Sequence, residues 1–85
     1  MKEGGELILY TTLGCSLCEK AKKEIWPLLA RFDLRLHAVD IADDAYLLER
    51  FQSIIPAVGL GDPEDVCLWP FDRLQLQTWL IQRLG

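Results

Sequence analysis

The stretch Leu7-Ile8-Leu9-Tyr10-Thr11-Thr12-Leu13-Gly14-Cys15-Ser16-Leu17-Cys18 decides how the rest of the chain is read. An unbroken apolar run from Leu7 to Tyr10, closed by Thr-Thr-Leu-Gly, has the pattern of a buried central strand feeding a turn. Past the turn, Leu17, Ala21, Ile25, Leu28, Leu29 and Phe32 recur at helical spacing, with Glu19, Lys20, Lys22, Lys23 and Glu24 on the other faces. Cys15 and Cys18 therefore fall where a strand hands over to the first turn of a helix spanning residues 16–32. Unpaired backbone N–H groups and the positive end of the helix dipole both favour a thiolate at Cys15. One helical turn brings Cys18 toward it, at a Cα separation that a disulfide tolerates. Cys15 is the candidate nucleophile and Cys18 the candidate resolving thiol of a thiol–disulfide exchange site.

Working outward, Pro27 lacks an amide proton, so a kink or break in the helix is expected near residues 24–26. Leu34, Leu36 and Ala38 alternate with Arg35, His37 and Val39, which predicts an edge strand over residues 35–41. Asp43 or Asp44 can cap a short helix through about Phe51, with Leu47, Leu48 and Phe51 turned inward. Ile54-Ile55-Pro56 then returns the chain to extended geometry. Two short apolar runs, 57–60 and 66–69, flank Gly61-Asp62-Pro63-Glu64-Asp65 and predict an antiparallel hairpin. Asp72 and Gln75 form a capping box for a last helix marked by Leu76, Leu80 and Leu84. The element order is β-α-β-α-β-β-α. One mixed four-stranded α/β sheet with flanking helices accommodates it, the first two strands being parallel through a right-handed crossover.

At 85 residues the chain is read as one domain, 1–85, and at this size folding buries only ~60–65% of the unfolded surface. Hydrophobic residues make up 51% and charged residues 26%, as in ordered globular proteins. The net charge of −4 has the wrong sign for a nucleic-acid backbone, so no nucleic-acid partner is expected. Leu7 to Tyr10 is too short for a signal-peptide core or a membrane span, and the expected setting is the cytoplasm, without membrane attachment. Three cysteines are too few and too odd for a disulfide scaffold. Asn is absent, which removes every N-glycosylation site, and a single histidine removes the two-histidine zinc hydrolase pattern.

The strand, the Cys15–Cys18 pair with its helix, Val39-Asp40-Ile41, and Ile54-Ile55-Pro56-Ala57-Val58 together resemble a short glutaredoxin-like branch of the thioredoxin fold. The resemblance spans nearly the whole chain. It implies a disulfide oxidoreductase in which the proline at position 56 is cis and lies beside the cysteines, so that Pro56 and Ile55, with Thr12 and Gly14, meet the substrate. Extended protein disulfides or small-molecule disulfides are the implied partners, and the molecule is expected as a monomer with no bound cofactor. Glutathione as co-substrate, or a thioredoxin-reductase-like system, is the implied reductant. The family commonly has lysine where Thr12 stands, proline and an aromatic where Ser16 and Leu17 stand, and a Gly-Gly-Asp-type segment of which only Asp72 has a counterpart.

Other readings of the same residues stay open. Cys15, Cys18, Cys67 and His37 formally supply a Cys3His zinc set, although the predicted topology scatters them and no metal site is expected. With several glutathione determinants replaced, a redox-inert binding or adaptor module is the competing function. Lys20 lies within a turn of the thiols and adds to their acidity, or is a solvated helix residue. Arg50, six residues before Pro56, meets a substrate carboxylate or serves its own helix end. Cys67 reads as a packed thiol, Trp69 and Trp79 as core, and Asp62, Glu64 and Asp65 as a solvated turn.

Overall fold

A computed structural model describes residues 5–84. Strand β1 (Gly5–Thr11) is central in a four-stranded sheet ordered β2-β1-β3-β4, where β2 is Leu34–Asp40, β3 Ala57–Gly59 and β4 Val66–Leu68. β1 and β2 run parallel, with Leu7 opposite Leu36, and the crossover between them is helix α1 (Ser16–Arg31). β3 runs antiparallel to β1, with Tyr10 opposite Ala57, and β4 closes the hairpin with Cys67 opposite Val58. The mixed α/β sheet, the edge position of β2 and the element order all match the sequence reading, and this is the thioredoxin-like architecture.

The continuous apolar run of β1 follows from its position, because both of its faces are covered. Leu7 and Leu9 point into a core with Ala21, Ile25 and Leu28 of α1, Val58, and Leu76 and Leu80 of α3 (Arg73–Leu84). Tyr10 points the other way, into a smaller core with Ile41, Ala57 and Phe51 of helix α2 (Ala45–Phe51). The Tyr10 and Phe51 rings stack there at 4.4 Å between centroids. Gly59 is where the hairpin closes tightly, since a Cβ would lie 3.1 Å from Val66 Cγ1.

Caps fix the helix starts. The Asp44 carboxylate accepts from the backbone N–H groups of Tyr46 and Leu47, and Asp72 and Gln75 make the reciprocal capping box of α3, at 2.7 and 2.9 Å. Three local expectations need correcting. Helix α1 continues through Pro27 without a break. Pro27 and Lys23 are both exposed, so the carbonyl left without a helical partner faces water. Residues 41–43 form a turn of 3-10 helix in place of the end of β2, held by the Asp40 side chain accepting from the Ala42 N–H. In the two-turn helix α2 only Leu47 and Phe51, four residues apart, face the sheet, and Leu48 is 43% exposed.

Candidate active site

The end of β1 and the start of α1 are joined by a tight turn. The Cys15 N–H donates to the Thr12 carbonyl at 3.3 Å, and Gly14 sits at φ 78°, a left-handed conformation that glycine adopts without steric cost. The turn delivers Cys15 to the N-cap of α1, where it is joined to Cys18 by a disulfide with Cα atoms 5.4 Å apart. The two sulfur-bearing residues are not equivalent. Cys15 is partly open to solvent, whereas Cys18 is 3% exposed and faces the core. The Thr11 hydroxyl donates to Cys18 Sγ at 2.9 Å.

Over the pair lies an open depression of about 520 Å³, whose walls include Thr12, Gly14, Cys15, Ser16, Cys18 and Lys22. Lys22 borders it because it follows Cys18 by four residues on the same helix face. It also pairs with Glu19 at 3.3 Å. Lys20 is exposed on another face and does not border the depression. Pro56 immediately precedes β3, so continuing the β1–β3 register one step places it beside Thr11, at the cysteine end of the sheet. The Ile55–Pro56 bond is cis, Pro56 is buried, its carbonyl accepts from the Trp69 N–H at 3.1 Å, and Ile55 packs on the Tyr10–Phe51 side.

The remaining candidates lie elsewhere. Arg50 stands over the Phe51 ring at 5.2 Å and has its Nε 3.6 Å from a Glu64 carboxylate oxygen, so a carboxylate of the hairpin turn already faces it. The Tyr46 hydroxyl donates to the same Glu64, which pushes the tyrosine pKa up. Asp72 is spent on capping α3. His37 and Cys67 sit on the two opposite edge strands, three strand spacings or about 14 Å apart, so the four zinc candidates do not converge. Among the described residues no cluster of three or more His, Cys, Asp or Glu side chains has metal-binding geometry. No described helix is long and apolar enough to cross a membrane.

Two features escaped sequence reading. Thr11 looked like the last residue of a strand, and its hydrogen bond to Cys18 depends on how the turn folds back. The Trp69–Pro70 bond is a second cis peptide, in the link between β4 and α3. The contribution of Lys22 was legible in principle, since Cys18 and Lys22 have the i, i+4 spacing.

A mixed thioredoxin-like sheet that presents a cysteine pair, closed as a disulfide, at the first turn of its first helix defines a thiol–disulfide oxidoreductase. The sequence matches the glutaredoxin-like domain (DUF836) over residues 6–81, and the chain belongs to that family. It is also similar to a solved structure from X. campestris, described as Northeast Structural Genomics target protein XcR50. The two share 32% sequence identity with a TM-score of 0.69, over 89% of this chain and 96% of that one. No curated protein matches the sequence.

Proposed function

We propose that the reduced protein breaks substrate disulfides with Cys15 as nucleophile and Cys18 as resolving thiol. The observation that carries this reading is the asymmetry of the pair: an accessible sulfur at the helix N-cap and a buried one held by the Thr11 hydroxyl. The Cys15 thiolate attacks one substrate sulfur, the substrate S–S bond breaks, and one substrate thiol leaves. Cys18 then attacks Cys15 Sγ, releasing the second thiol and closing the internal disulfide. Two electrons pass from the protein dithiol to the substrate. We assign substrate backbone to the turn at Thr12 and Gly14, which lines the depression, and to the Pro56 segment, which the β1–β3 register puts beside Thr11.

Glutathione is the proposed reductant. A depression of about 520 Å³ with Lys22 on its rim suits a tripeptide carboxylate. Lys22 takes the substrate carboxylate that the sequence offered to Arg50, and Arg50 and Asp72 are left to their structural partners. One glutathione opens the internal disulfide at Cys15, and a second releases Cys15 as oxidised glutathione forms. We place this chemistry in a reducing compartment such as the cytoplasm, and in a monomer. The test is disulfide exchange with Cys15→Ser and Cys18→Ser proteins. The first should lose exchange, and the second should accumulate a mixed disulfide at Cys15. Wild-type exchange by Cys15→Ser would refute the assignment.

A further inference from the structure

The cysteine depression does not end at Lys22. A second open groove, lined by Glu19, Lys22, Lys23, Trp26 and Pro27, shares Glu19 and Lys22 with it, so the two are continuous along α1. At ~100° per residue, Glu19, Lys22 and Trp26 lie on one stripe of the helix that begins at Cys15. Trp26 is 67% exposed, a large aromatic surface left to water at the far end of the stripe, and Leu13, 91% exposed, stands at the near end. Aromatic side chains of this kind dominate recognition surfaces. Lys23 makes no salt bridge among the described residues, and it lines the same groove as Trp26, three residues further along the helix, in a chain whose net charge is −4.

We infer that this stripe of α1 is a docking subsite for an extended polypeptide segment of a disulfide-bearing protein substrate. An apolar residue of the segment covers Trp26 and an acidic one meets Lys23. The inference rests on the exchange reading of Cys15 and Cys18 and names the substrate class of that site. Cys15 and Trp26 are eleven positions apart, about 16 Å along a helix axis at ~1.5 Å per residue. An extended segment covers that distance in about five residues at ~3.3 Å each. The apolar anchor therefore lies about five residues from the reacting cysteine of the substrate. Glutathione, with one residue on either side of its cysteine, and small disulfides are too short to reach so far.

The test is single-turnover reduction by dithiothreitol-reduced, desalted protein of two disulfides. One is a peptide with Leu five residues from its cysteine and Asp residues between, and the other is 5,5′-dithiobis(2-nitrobenzoic acid). The ratio of the two rate constants should fall about tenfold in Trp26→Ala and severalfold in Lys23→Glu. Leu74→Ala, on the exposed face of α3, should keep the wild-type ratio. An unchanged ratio in Trp26→Ala while the small disulfide is still reduced overturns the docking subsite and leaves the exchange reading standing. A wild-type protein that reduces neither disulfide overturns the exchange reading and the subsite with it. A dimer in sedimentation that Trp26→Ala disperses assigns the face to a second copy of the chain and overturns the substrate assignment.

Discussion

Cys18 and Cys67 lie in the same small sheet protein and meet opposite fates. Cys67 is half-buried on edge strand β4 and packs against the core shared with α1 and α3. Burial pushes its thiol pKa up, and Arg83 offsets this only in part. Cys18 is more deeply buried still, yet it is the one bonded to an accessible partner. What differs is the polar surroundings. Cys18 lies in the first turn of α1 with a hydroxyl aimed at its sulfur, whereas Cys67 sits mid-strand, where its backbone groups belong to the sheet. Burial alone makes a thiol inert, and burial with donors at hand makes a resolving thiol.

The largest test of this contrast removes each sulfur in turn. Cys15→Ser is expected to cut disulfide reduction about a thousandfold or more, while Cys67→Ser stays within about a factor of two, as read by single-turnover kinetics. Next, Thr11→Val keeps the shape of the side chain and deletes the donor. A hydrogen bond to a charged acceptor contributes about 1.5–3 kcal/mol, so closure of the mixed disulfide should slow by about tenfold to a hundredfold, visible as a longer-lived adduct in quenched mass spectrometry. An unchanged lifetime would remove Thr11 from the account.

A third expectation concerns pH. The raised pKa of Cys67 means that its thiolate appears only above the ordinary range, so its alkylation by iodoacetamide should lag that of reduced Cys15 throughout neutral pH and rise only in alkali. The same shift has a sign for stability. The folded state holds the Cys67 proton more tightly than the unfolded chain does, so this contribution is complete below the unfolded pKa and is lost as pH climbs through the folded value. Alkaline unfolding should accordingly be milder in Cys67→Ala.

The smallest effect is expected at the Arg83–Asp65 pair beside Cys67. Arg83 contacts both carboxylate oxygens of Asp65, at 2.7 and 2.8 Å, and holds that carboxyl below its usual range. Its contribution is present above the unfolded Asp pKa and disappears as pH falls. Arg83→Gln should lower Tm slightly at neutral pH, and added salt should shrink the difference.

What could be read in advance follows the range of the interactions involved. The buried run of β1, the period of α1 and the Asp44 and Asp72 caps are written within a few residues, and each appears where the sequence places it. The outward turn of Leu48 depends on which two positions of a seven-residue helix win the sheet, and local pattern does not decide that. Arg50 was a candidate for substrate until the hairpin brought Glu64 to it from fourteen residues away. Thr11 belongs to the same class: its neighbour Thr12 lines the depression, but only the folded turn reveals which hydroxyl reaches Cys18. The site was legible as a cysteine pair on a helix end, and its supporting groups were not, because they come from tertiary approach.

The most direct test of the central claim is a redox titration of the protein in graded dithiothreitol and glutathione buffers, with free thiols alkylated at each step and located by peptide mass spectrometry. Cys15 and Cys18 should lose their alkylation together and reversibly, with one midpoint, while Cys67 stays a free thiol to the oxidising end, alkylated once the quenched protein is unfolded. A pair that remains separately alkylatable in the most oxidising buffer, or an internal disulfide that takes in Cys67, would contradict that claim.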